Sequence, residues 1–244
     1  MSRGALVLCA LLLVPVSAGW CKDIVSMPEV DMMGPGELET AYIYWDLEDI
    51  VLPNGAVVRD YAHVYEFFLG ITDRLELDVI HINLQGSVST PFGDPLSDKT
   101  EINAYFKLLD ETPTSPAITV GATNITSNDW LPSTDRTGVD GDYRVSPFVT
   151  MAKTLRAPKG GPPDWNNPAI RLQVGFGGNF HEDKPFGILQ FAFTPNVVAG
   201  VQNYQGKLGW LVGWTQKPWG IHVGGLSSDN WIHVYYDWNL RSLF

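Results

Sequence analysis

Eight charged residues stand at alternate positions of otherwise apolar segments: Glu66, Glu76, Asp78, Lys107, Arg144, Arg171, Asp237 and Arg241. Side chains that alternate share one face of an extended strand, so these charges gather on a common side of a sheet. With both signs present they would form either a salt-bridged network or a polar constriction that sorts solutes. His222 and His233 fall on the same face of two successive segments and can meet across the ladder. Acid–base work by such a pair requires a nucleophile facing it, and none stands in a recognisable context. No Gly-x-Ser-x-Gly, P-loop, His-Glu-x-x-His or paired Cys-x-x-Cys is present, nor the His-x-Ser-Asn-Gly stretch of outer-membrane phospholipases. The run His181-Glu182-Asp183 carries metal-ligand types, but such runs are usually solvated turns. The expectation is therefore no catalytic set, no metal and no cofactor.

The elements that carry these residues alternate with period two. Extended segments are predicted over 37–48, 62–71, 75–86, 101–109, 116–126, 143–155, 170–180, 185–194, 197–204, 207–216, 219–226 and 231–244. The clearest places Ile170, Leu172, Val174 and Phe176 against Arg171, Gln173, Gly175 and Gly177. In 37–48 the apolar stripe is Ala41, Ile43, Trp45 and Leu47. In 75–86 it changes phase from Leu75, Leu77 and Val79 to Ile80, Ile82 and Leu84, which predicts a β-bulge near Val79. Six small residues, Gly175, Gly177, Gly209, Gly213, Gly220 and Gly224, sit on the polar face, where they leave room for larger neighbours.

The final segment is apolar at Ile232, Val234, Tyr236, Trp238, Leu240 and Phe244, and polar at His233, Tyr235, Asp237, Asn239 and Arg241. Long strands with apolar residues on one face, charges on the other and aromatic residues at their ends fit a closed transmembrane barrel better than a two-sheet sandwich. A single antiparallel barrel of about twelve strands is expected, ten and fourteen being the alternatives. With both termini on the periplasmic side, the connections near 72, 112, 195 and 217 are short and periplasmic. Those at 49–60, 87–100 and 127–142 are long and external. The long stretch 156–168 would also be periplasmic, unless the count is off by a hairpin.

A basic start at Arg3, an apolar run over 5–14 and a small-residue site at Val16-Ser-Ala18 read as a secretory signal, cut after Ala18. Residues 1–18 are then the signal, 19–36 a periplasmic lead and 37–244 the barrel. Cys21 invites a lipoprotein reading, but Trp20 stands where a small residue is needed. Only Cys21 remains after cleavage, so no internal disulfide forms. The net charge of −11, made one more negative by loss of Arg3, lacks the basic footprint that nucleic acid requires. Nine Trp, nine Tyr and eleven Phe crowd the strands, and the loops collect the acids.

The ending resembles the C-terminal assembly signal of bacterial outer-membrane barrels, carried by Tyr236, Trp238, Leu240 and the final Phe244. The phrases Met27-Pro-Glu-Val-Asp-Met-Met-Gly-Pro-Gly-Glu-Leu-Glu-Thr-Ala-Tyr-Ile-Tyr-Trp45, Leu69-Gly-Ile-Thr-Asp-Arg-Leu-Glu-Leu-Asp78 and Asn103-Ala-Tyr-Phe-Lys-Leu-Leu-Asp-Glu-Thr-Pro113 with Pro116-Ala-Ile-Thr-Val-Gly121 resemble strand and turn phrases of the same group. That group includes YjbH-like proteins linked to exopolysaccharide production and outer-membrane transporters. The resemblance implies a barrel delivered by the barrel assembly machinery and embedded among outer-membrane lipid and lipopolysaccharide. It implies passage of a small polar solute, a non-conducting role beside polysaccharide export, or lipid modification. The chain is shorter than two-barrel members, and phrases of this kind speak to the fold more than to the activity.

Overall fold

The computed structural model describes residues 30, 32–46, 50–51, 57–58, 60–86, 99–126, 145–178, 184–204 and 206–240. Their strands are β1 (Glu37–Asp46), β2 (Ile50–Val51), β3 (Val57–Val58), β4 (Asp60–Thr72), β5 (Leu75–Gly86), β6 (Lys99–Leu109) and β7 (Ala117–Thr123). They continue as β8 (Ser146–Arg156), β9 (Ala169–Gly177), β10 (Lys184–Thr194), β11 (Val197–Tyr204), β12 (Lys207–Gln216), β13 (Trp219–Leu226) and β14 (Asp229–Asn239). All but β2 and β3 form one closed barrel in chain order, sealed where β1 pairs with β14, and the short β2–β3 hairpin stands apart. Every neighbouring pair is antiparallel. Closure gives each barrel strand a neighbour on both flanks, as an edge-free barrel requires.

The twelve-strand count agrees with the alternation in the sequence. The segment 156–168 is a true connection at the end of the barrel that carries the short turns, tied by an Asp164–Asn167 bridge. Exposed Trp165 lies flat on Phe193 there, ring centroids 5.0 Å apart. The turn after β6 is held by Glu111, whose carboxylate accepts the Thr154 backbone N–H at 2.8 Å and its hydroxyl at 3.2 Å.

Three expectations need correction. The bulge near Val79 is absent: β5 keeps unbroken register with β4 over Leu77–Gly86 and with β6 over Leu75–Ile82. The register shifts lie instead beside the turns, at Gly70/Thr72, Lys107/Leu109, Thr154/Arg156 and Ala192/Thr194. The phase change in β5 is a change in what the inner face carries, from Glu76 and Asp78 to Ile80 and Ile82, which pack on the apolar interior. For the same reason the Ala41, Ile43 and Trp45 stripe of β1 faces inward and Tyr42 and Tyr44 face out; Leu47 lies outside the described residues. Finally, β14 stops at Asn239, because the chain turns at Leu240, whose N–H donates to Gly36 O at 2.9 Å.

Side chains divide sharply between the two faces of the wall. Outward positions such as Phe106, Phe176, Trp210, Val234 and Trp238 are exposed, forming a broad apolar belt. Inward positions are almost all buried. Toward the long-loop end the interior is apolar, with Ile43, Val64, Phe186, Ile188, Leu211, Leu226 and Trp231 in one cluster. Polar inward positions are grouped by strand, most densely on β1, β4, β5 and β6, and smaller apolar clusters around Met33 and Val30 lie near the short-turn end.

Candidate functional site

The polar interior is lopsided in charge. Buried carboxylates come from Glu39, Glu66, Glu76, Asp78, Glu101 and Asp229, whereas Arg171 is the only buried Arg or Lys among the described residues. Five of the six acids lie on β1, β4, β5 and β6, a continuous arc of wall. Arg171 belongs to β9, three strands beyond β6, flanked by Thr154 and Gln190 in its rows. Burying charge without compensation is costly, so an arc of this kind stays ionised only with partners or trapped water.

Among the expected interior charges, Glu66, Glu76, Asp78 and Arg171 are buried and inward. Lys107 and Asp237 also point inward but sit at the short-turn mouth, where each is partly exposed. Lys107 reaches Asp110 at 3.4 Å and Asp237 reaches Lys217 at 3.9 Å, so both are engaged at the rim. Arg144 and Arg241 lie outside the described residues, as do His181, Glu182 and Asp183. Among the described residues no group of three or more His, Cys, Asp or Glu could hold a metal ion.

His222 and His233 do meet across the β13–β14 ladder. Both are 0% exposed and their ring centroids are 5.5 Å apart. Tyr235 completes the group: its hydroxyl donates to Thr215 Oγ1 at 2.9 Å, and that oxygen lies 3.3 Å from His222 Nε2. Such a chain of groups could pass a proton, but no space that admits water touches either imidazole. The neighbouring glycines explain how rings this large fit. A Cβ on Gly213 would lie 2.1 Å from His222 Cδ2, and one on Gly220 would lie 2.5 Å from the Tyr235 ring.

Two further features were not expected from the sequence. The first is the lead before β1. Val30 is buried against Ala117 and Ala152, and Met33 is buried against Ala41, Phe68 and Tyr235. The Met33 N–H donates to the Glu76 carboxylate, and Gly36 N–H donates to Gly70 O at 2.8 Å. Only a contact map could reveal this, since so short a stretch with Pro and Gly has no period to read. The second is an outer-wall cluster on β1 and β4 in which Tyr42 and His63 are hydrogen-bonded at 2.7 Å and Tyr44, Tyr61 and Tyr65 pack around them. A run of alternate Tyr and His at Tyr61, His63 and Tyr65 was its legible trace.

The expected assembly residues Tyr236 and Trp238 are exposed on the outer wall, their rings 4.5 Å apart, and Trp238 Nε1 donates to Thr40 Oγ1 at 3.1 Å. Leu240 lies just past the strand and Phe244 lies outside the described residues.

No protein-family profile matches the sequence, and no curated protein matches it. Among solved structures, the chain is similar to an outer membrane channel from Pseudomonas putida F1, with 12% identity and a TM-score of 0.46, over 88% of this chain and 99% of that one.

Proposed function

We propose that this chain is a bacterial outer-membrane β-barrel that passes small polar solutes through its lumen, with cations favoured. The observation that carries the reading is the reversal of faces: exposed apolar side chains cover the outside of a closed wall while six carboxylates and Arg171 are buried within it. Monomeric soluble proteins rarely leave so continuous an apolar surface uncovered. Lipid is the natural cover for a closed wall of this length, since a barrel satisfies every backbone group without water. In this reading the short-turn end and both termini face the periplasm, the lipid and lipopolysaccharide of the outer membrane surround the belt, and the barrel assembly machinery inserts the chain.

The test has two stages. Fractionation followed by gel migration with and without heating should recover a heat-modifiable outer-membrane protein; a soluble periplasmic protein would sink the reading. Planar bilayers should then show discrete cation-selective steps that change when Arg171 or Lys107 is neutralised.

The packed interior favours a second reading, a non-conducting barrel with a structural role beside polysaccharide export. Ile43, Val198 and Leu211 are each within 1% of full burial, which fits a wall filled by side chains. Silence in bilayers under all conditions would select it. A lipid-modifying enzyme remains the third class, and its mark would be lipid cleavage lost on replacing His222 or His233.

A further inference from the structure

We propose that the lead before β1, described at Val30 and over residues 32–36, forms a tethered plug across the short-turn mouth of the lumen, and that solute passes only when it shifts. The inference rests on the channel reading above and assigns its regulation to the chain's own lead.

The argument begins with where the segment is anchored. At one end, Val30 packs on Ala117 of β7 and Ala152 of β8, and Thr119 Oγ1 donates to its carbonyl at 3.5 Å. At the other, Gly36 is hydrogen-bonded to Gly70 of β4 and to Leu240 beyond β14. These anchor points belong to different sides of a twelve-stranded ring, with β5 and β6 between β4 and β7. Held at β7 and β8 by Val30 and at β4 and the end of β14 by Gly36, the lead bridges the opening. Midway, Met33 is 5% exposed and its backbone N–H is held by buried Glu76.

The wall is shaped to receive it. A Cβ on Gly70 would lie 2.1 Å from Gly34 O and 2.7 Å from Met33 O, both backbone atoms that cannot turn aside. The lead itself is braced by a compact turn, in which Glu37 N–H donates to Gly34 O at 2.9 Å and Gly34 N–H donates to the Glu37 carboxylate at 3.0 Å. The occupied acid matters as much as the occupied space: Glu76 belongs to the arc of carboxylates that a cation would meet, and the plug engages it through an N–H.

Two changes test the proposal in opposite directions. Gly70→Ala pushes on the docked backbone and is expected to raise the open fraction in planar bilayers at least tenfold. Met33→Cys with Phe68→Cys, made with Cys9 and Cys21 replaced by serine and joined by a short bifunctional thiol cross-linker with a reducible spacer, is expected to lower conductance at least tenfold until reductant restores it. Equal conductance in the cross-linked and reduced forms would overturn the plug and leave the channel reading standing. Silence of the native chain, of Gly70→Ala and of the reduced double variant alike would overturn the channel reading itself. Should Gly70→Ala fail to insert, the cross-linked pair still decides the matter.

Discussion

His222 and His233 stand opposite each other in the β13–β14 ladder, shut away from water, over a floor that only glycine can provide. Their register follows from the two-residue turn at Ser227 and Ser228, since Leu226 pairs with Asp229 and every pair behind it is thereby set.

Adding one methyl to that floor should therefore be felt. Gly213→Ala drives a Cβ to 2.1 Å from His222 Cδ2, and overpacking of this kind costs about 1–3 kcal/mol. The check is the temperature at which the folded gel band converts to the unfolded one. A variant as heat-resistant as the native barrel would show that the ring is not confined.

The apolar belt makes a graded expectation. Val234 lies mid-strand and Trp238 near the end of β14, and both face out, but arginine near mid-membrane costs about 2–4 kcal/mol and near the interface about 0–1 kcal/mol. Val234→Arg should lower the yield of folded barrel far more than Trp238→Arg. Equal yields would mean that the belt does not contact lipid.

Removing the buried guanidinium should make the lumen's charge bias stronger. Arg171→Gln leaves six buried carboxylates with no buried Arg or Lys among the described residues. Reversal potentials across a salt gradient should move further toward the cation value, most clearly at low ionic strength, where charges are least screened. A shift toward anions would refute the charge assignment.

The two acids of the β6–β7 turn should behave differently. Asp110 is 63% exposed in its pairs with Arg74 and Lys107, so Asp110→Asn should change stability by less than about 1 kcal/mol. Glu111 is more covered and accepts from both the backbone N–H and the hydroxyl of Thr154. Glu111→Gln exchanges two charge-assisted bonds for weaker ones and should cost about 1–2 kcal/mol. Urea titration in detergent separates the two.

The strands most legible in the sequence are those whose two faces differ in character throughout. In β9, Ile170, Leu172, Val174 and Phe176 oppose Arg171, Gln173 and glycines, and alternation alone assigns the faces. It fails in β1 and β5 because the interior is not uniformly polar: Ile43, Trp45, Ile80 and Ile82 are as apolar as anything on the outside. In β1 the outer wall is tyrosine, which satisfies either face, so hydropathy points the wrong way. The His222–His233 pair was legible because a tight turn joins their strands. The docked lead was not, because its contacts join residues far apart in sequence, such as Val30 with Ala117 and Met33 with Glu76.

The order of pairing around the ring has a kinetic consequence. Each strand from β4 onward pairs with its successor in the chain, and only the β1–β14 seam, where Glu37 meets Asn239 and Asp46 meets Asn230, joins the two ends of the barrel. Bringing such distant segments together carries the largest loop-closure entropy of any step. The hairpins from β9 to β14 can zip locally, whereas the seam has to await nearly the whole chain. Its mate β1 is also the strand into which the plug runs directly, through the turn at Gly34 and Glu37. The last zippering event and the seating of the lead are thus adjacent in space, so a barrel caught before closure would expose an unsealed flank and an unstoppered bore together.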